Sequence, residues 1–300
     1  MPNDKKPLFK DLWDYSDPTA TEQRFRDLLP NYQTDETLDA RIQLLTQIAR
    51  TQGLQRQFDE AHKTLDEADD LLKGNRSVGQ LRLWLERGRV FRSSKQREES
   101  LPWFQQAWKL AQQLGEDFYS VDAAHMLGIA EANSDTQMEW NLQALAAAEQ
   151  STNHAARQWL GSLYNNIGWT YHNASQYNEA FNMFEKALQW RQQEEEPMVV
   201  SKVRIAKWCV ARGLRSLERT DESYSQQQAL LNEYLADDTT KESDLGYVYE
   251  ELGECLWLLN KQEEAKPHLA KAYDILSQDP WLQDNESDRL ESLRQRSEAD

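Results

Sequence analysis

Residues that interrupt helices are scarce in this chain: 11 glycines and 8 prolines in 300 residues, with no alternating β-branched run to suggest a sheet. Cysteine is scarcer still. Cys209 and Cys255 stand far apart with no CxxC or other metal-ligand spacing, and each is expected to be a small buried thiol inside a helix. No apolar run approaches the length of a membrane span, and Met1 to Lys10 lacks the apolar centre of a signal peptide, which together predict a soluble, cytoplasmic protein. Positive charge is in deficit. A formal net charge of −17 repels a phosphate backbone, so nucleic acid is not an expected partner, and neither is a membrane. The five histidines are scattered with no HExxH, and no nucleophile elbow or glycine-rich phosphate loop occurs. The expectation is therefore a non-enzyme with no cofactor, no metal and no catalytic residue.

What the chain does contain is a repeat. Small residues recur at Ala49, Gly88, Gly128, Gly168, Ala211 and Gly253, in steps of 39, 40, 40, 43 and 42. A second register, Ala61, Ser100, Trp140, Ala180, Ser223 and Ala265, repeats with the same steps, and so does a third, Ala68, Ala107, Ala147, Ala187, Leu230 and Ala272. Small residues at these offsets let two antiparallel helices touch, while neighbouring large ones fill the spaces beside them. Trp140 is the worst departure, and it predicts irregular packing in the repeat that starts near Val121. The clearest copy reads Tyr164, Ile167, Gly168, Tyr171, Ala180, Phe184 and Ala187.

These residues resemble the tetratricopeptide repeat family over roughly Leu38 to Ser277, and the unit of about 40 residues, with Leu163-Tyr164-Asn165-Asn166-Ile167 and Tyr177-Asn178-Glu179-Ala180, resembles the kinesin light chain variety. The resemblance implies an all-α, right-handed α-solenoid of about six helical hairpins with capping helices at both ends. First helices are expected to begin near Leu38, Val78, Ser120, Gln158, Val200 and Ser243, and second helices near Phe58, Glu98, Thr136, Tyr177, Asp221 and Gln262. Residues 1–16 read as a flexible acidic and aromatic arm, 17–37 as a capping helix opened by Asp17-Pro18 plus a linker, 38–279 as the repeats, and 280–300 as a polar cap anchored by Leu290 and Leu293. Trp84, Phe91, Phe104, Tyr164, Tyr171, Phe184 and Tyr249 occupy signature positions and are assigned to the core.

In the resembling family the first helices line a concave groove. Helical spacing from each small residue then gives a lining of Arg50, Arg82, Arg89, Arg92, His125, Asn165, Trp169, His172, Asn173, Trp208, Arg212, Arg215, Tyr247, Glu250, Glu254 and Trp257. Arginines suit carboxylates, amides suit peptide backbone, and aromatics suit apolar side chains, so the expected ligand is an acidic, partly aromatic peptide or a partner helix. Neighbouring glutamates offer Arg212 and Arg215 a competing partner, and a helix-to-helix hydrogen bond is the competing role for Asn165 and Asn166. The expected function is a protein–protein interaction adaptor or scaffold; a peptide-responsive regulatory receptor and a homo-oligomeric scaffold are the alternatives. A clamp for a C-terminal carboxylate does not fit, because Glu86, Asp122 and Met126 interrupt its pattern. Phe9, Leu12, Trp13 and Tyr15, interleaved with Asp11, Asp14 and Asp17, could occupy the groove of this chain or of a second copy, or dock beside the first repeat.

Overall fold

A computed structural model describes residues 8–72, 74, 76–193 and 199–298, and every described element is helical. The chain falls into two compact units, 1–163 and 164–300.

In the first unit, α1 (Pro18–Leu28) precedes three hairpins: α2 (Leu38–Leu54) with α3 (Phe58–Asp70), α4 (Val78–Ser93) with α5 (Arg97–Leu114), and α6 (Asp117–Ala130) with α7 (Ser134–Gln150). A short α8 (His154–Arg157) follows, and α9 (Leu160–Asn173) begins the next hairpin. The second unit continues with α10 (Tyr177–Gln193), α11 (Val199–Ser216), α12 (Thr220–Leu235), α13 (Gly246–Leu258), α14 (Gln262–Leu276), α15 (Pro280–Asn285) and α16 (Ser287–Glu298). Consecutive helices pack pairwise, and within the first unit each first helix also meets the next, α2 on α4 and α4 on α6. No described helix is long and apolar enough to cross a membrane.

The small registers are where the paired helices touch. Ala49, Ala61, Ser100, Ala180, Ser223 and Ala265 are sealed from solvent. A Cβ added to Gly88 would lie 2.5 Å from the Phe104 ring, one on Gly168 2.6 Å from the Phe184 ring, and one on Gly253 2.4 Å from Leu269. Phe104, Phe184, Tyr164 and Tyr249 are buried as expected, while Trp84, Phe91 and Tyr171 are half-buried. Both thiols are buried, and burial pushes Cys209 up to about 12 and Cys255 up to about 11.

Five hairpins turn in the same way. Seven residues after the small residue of the first helix, Arg56, Lys95, Ser175, Glu218 and Asn260 all have φ near +60°. The next residue's N–H then donates to the carbonyl five positions back: Gln57 to Gln52, Gln96 to Phe91, Gln176 to Tyr171, Arg219 to Leu214 and Lys261 to Leu256, all at 2.8–3.0 Å. This is the left-handed helix C-cap that glycine usually supplies, made here by side-chain-bearing residues.

The third hairpin departs from that rule, and its register corrects the sequence reading. Asn133 opens α7 by accepting from the N–H groups of Asp135 and Thr136, and α7 starts six residues after Gly128 where the other second helices start nine after their small residue. Asn141 and Ala148, rather than Trp140 and Ala147, therefore face α6; Asn141 sits where a Cβ on Gly128 would touch its amide. Trp140 swings aside to meet Trp108 edge-on at 5.0 Å. Helix α8 is a second departure. Ser151 donates to Asp117 at 2.6 Å, and Asn153 caps the short helix that buries Ala155 and Ala156.

At the two ends, Asp17 accepts from the Ala20 N–H and Asp279 from the Trp281 N–H, each preceding a proline at the first helical position. Phe25 of α1 enters the first core and Leu290 and Leu293 of α16 enter the last.

These contacts predict opposite outcomes for substitutions of the same kind. Gly88→Ala overpacks against Phe104 and should cost about 1–3 kcal/mol. Gly53→Ala, whose new methyl would find only Val90 at 3.7 Å, should gain up to about 1 kcal/mol. Relieving the left-handed backbone with Lys95→Gly should gain about 0.5–1 kcal/mol. Urea unfolding of the three variants measures all of these.

Candidate functional site

In the first unit, helical spacing places buried Gln43 and Gln47 and half-buried Arg50 of α2 along one stripe, and buried Arg82 and Glu86 and half-buried Arg89 of α4 along the next. Asp122 and His125 of α6 continue the row. Consecutive stripes are laced by ion pairs. Arg50 reaches Glu86 at 3.2 Å; Arg89 donates to the same carboxylate oxygen at 2.6 Å and grips Asp122 with bonds of 2.5 and 2.6 Å. Burial alone would lower Arg89, but Asp122 and Glu86 outweigh it and hold the guanidinium above its ordinary range.

The segment Leu8–Tyr15 lies on this face. A 3-10 turn at Lys10–Leu12 follows Phe9, which packs against Phe25 and Tyr32. Arg82 donates through one nitrogen to the Leu8 carbonyl at 2.9 Å and to Gln43 at 3.0 Å. The Trp13 indole N–H donates to Gln47 at 2.9 Å, its ring stacks on Tyr15 at 4.8 Å, and the Arg50 guanidinium sits 5.6 and 5.9 Å from the two ring centres. Lys10 donates to Gln158 at 3.0 Å. The arm expected to be free is thus seated over Leu8–Ser16, and residues 1–7 lie outside the described residues. Phe9 and Trp13 pack against the first core, while Leu8 meets Arg82 and the Trp13 and Tyr15 rings meet Arg50.

Of the remaining predicted residues in this unit, His125 is buried beside Trp159, with ring centres 5.1 Å apart. Arg92 is exposed.

The polar predicted residues of the second unit are mostly engaged by neighbours outside the predicted set. Arg215 forms a two-pronged pair with Glu251 at 2.7 and 2.9 Å, and Arg212 reaches the same carboxylate at 3.2 Å and Ser216 at 2.6 Å. Glu250 is held by Arg289 of α16, and Glu254 by Arg296 at 2.5 Å, whose guanidinium lies 4.5 Å from the Trp257 ring centre. His172 meets Ser216 at 2.9 Å. Asn165 accepts from the Cys209 thiol at 3.3 Å, the helix-to-helix bond that competed with a binding role. Trp169, Trp208 and Tyr247 form a row with ring centres 5.8 and 6.1 Å apart, and Trp208 donates to the Tyr247 carbonyl. Asn173 is exposed.

Sequence reasoning offered Arg212 and Arg215 a neighbouring glutamate, which Glu251 supplies, but did not pair Arg50 and Arg89 with Glu86 and Asp122 and missed Gln43, Gln47, Tyr119 and Trp159. Their signal was present in the i, i+3, i+4 spacing, since Glu86 lies between Arg82 and Arg89 on one stripe.

Four histidines, His62, His125, His172 and His268, are lowered first by burial, with neighbouring cations adding to it. The unfolded chain therefore takes up protons more readily below about pH 6.5. Stability should be full above that value and fall as the pH drops through the depressed folded-state values; a His125→Gln chain should lose less between pH 7.5 and 5.5, read as a thermal midpoint.

Among known families, a model described as tetratricopeptide repeat matches residues 160–194. No curated protein matches the chain. Among solved structures, a signal transduction ATPase with numerous domains and a tetratricopeptide repeat sensor, from Pyrococcus horikoshii, is similar at TM-score 0.71 and 13% identity, covering 92% of this chain and 41% of that one. BtubC (BKLC) from P. vanneervenii is similar at TM-score 0.61 and 13% identity, covering 74% and 90%. NprR, solved with its cognate peptide NprX, is similar at TM-score 0.51 and 13% identity, covering 92% and 82%. This chain thus spans less than half of the ATPase and most of the other two. Residues 160–194 are a tetratricopeptide repeat of the kinesin light chain type, and the chain has the paired-helix fold of tetratricopeptide repeat proteins.

Proposed function

We propose that the chain is a non-catalytic adaptor that holds an extended, acidic and aromatic segment of a partner protein on the face built by α2, α4 and α6. Tetratricopeptide repeats generally mediate contacts between proteins, and one structural neighbour was solved with a bound peptide. The observation that carries the reading is the seat of Leu8–Tyr15. Arg82 takes a main-chain carbonyl, Gln47 takes an indole N–H, and Arg50 lies against two aromatic rings, so the face grips backbone and side chain together.

The arginines do not offer bare charge to such a partner, because Glu86 and Asp122 already engage Arg50 and Arg89. Selectivity then falls to the uncharged contacts and to Arg82. In the second unit, the row Trp169, Trp208 and Tyr247, with exposed Asn173 near its start, is a further candidate surface for aromatic side chains.

A labelled peptide with the sequence of residues 8–17, added to the full chain, tests this by fluorescence anisotropy. It should bind Trp13→Ala at least about fivefold more tightly than wild type, because that change removes the hydrogen bond holding the resident segment. Adding Arg82→Ala should abolish the gain. Failure of the peptide to bind a folded Trp13→Ala chain would defeat the proposal.

A further inference from the structure

Between the seated segment and α4, α6 and α8 lies a cavity of about 290 Å³, at the low end of the range of small-molecule pockets. Its rings come from Trp13, Tyr15, Phe118, Tyr119 and Trp159. Two residues of its lining each carry a polar atom that is sealed from solvent without a partner among the described residues. One is the second carboxylate oxygen of Glu86, a residue 3% exposed whose first oxygen receives both Arg50 and Arg89. The other is the hydroxyl of Tyr119, 6% exposed, which burial pushes up to about 12 and so keeps protonated. Buried polar atoms are ordinarily paired, because leaving one bare costs about 1–3 kcal/mol.

The chemistry of the lining selects a ligand. A free carboxylate oxygen needs an N–H or O–H donor. That donor is not a cation, because Lys10, Arg50, Arg82 and Arg89 outnumber Glu86 and Asp122 around the space and make it locally positive within a chain of net charge −17. Arg82 commits one nitrogen to its two bonds, and Lys10 has ammonium hydrogens beyond the one given to Gln158, so both can receive an anionic group. Five rings around a narrow space favour a flat body. We infer that this cavity binds a small planar aromatic carboxylic acid carrying an N–H or O–H donor, with the donor toward Glu86 and Tyr119 and the carboxylate toward Arg82 and Lys10.

The inference does not need a partner peptide; it needs only the resident segment in place as one wall. Calorimetric titration of the intact chain with indole-3-acetate provides the test, with tryptamine as the cationic counterpart and 1-naphthylacetate as the acid without a donor. Saturable one-to-one binding of indole-3-acetate is expected, at least about tenfold weaker for tryptamine and about fivefold weaker for 1-naphthylacetate. Tyr119→Phe, which removes only the hydroxyl, should weaken indole-3-acetate about fivefold without lowering the thermal midpoint of the unliganded chain. Trp13→Ala should weaken it too, whereas the same change should strengthen the added peptide, so the two readings fail independently. No saturable heat, meaning that the cavity holds water alone, would overturn the inference. Equal binding of tryptamine, or an unaffected Tyr119→Phe chain, would do the same.

Discussion

Backbone contact at the small registers is the constraint on which the rest of the molecule depends. At Gly88, Gly168 and Gly253 a neighbouring ring or leucine occupies the space of a missing methyl, so the paired helices meet at one rotation only. That rotation decides which stripe of each first helix faces its partner and which is left for other contacts. Where the register slips by one residue, as at Asn141, the aromatic that should have been excluded moves to a new neighbour and the turn changes type.

The stripes left over are not bare. In each unit, arginines of one first helix meet carboxylates of the next first helix, Arg50 with Glu86, Arg89 with Asp122 and Arg215 with Glu251, while Glu250 of α13 meets Arg289 of α16. Removing one member of such a desolvated pair strands the other, so the acids and arginines depend on each other more than a surface pair does. Arginines paired in this way carry less uncompensated charge than their number suggests. The resident Leu8–Tyr15 segment is held through indole and carbonyl contacts, while the charges are paired among themselves.

Local chemistry was the legible part of the sequence. Asp17-Pro18 marks a cap that forms as read, and the starts at Leu38, Phe58, Val78, Tyr177 and Gln262 coincide with the helices. The small registers name the packed residues in every hairpin but the third. There, Trp140 signalled trouble without revealing its remedy, because a one-residue slip depends on how Asn133 caps and Asn141 fits against Gly128. Pairings such as Arg50 with Glu86 span 36 residues and follow from the stagger between helices, which no local pattern encodes. The arm was legible as aromatic and acidic; its seat required coordinates, since one carbonyl and one indole fix it.

The two thiols carry a practical consequence. Both are sealed inside helices and held far from the thiolate form at neutral pH, so maleimide or iodoacetamide reagents have little to attack in the folded chain. A cysteine introduced at exposed Trp281 or Leu235 would then be singly addressable without first stripping the native pair, leaving the buried bond from Cys255 to Ser223 intact while a dye or spin label reports on the surface.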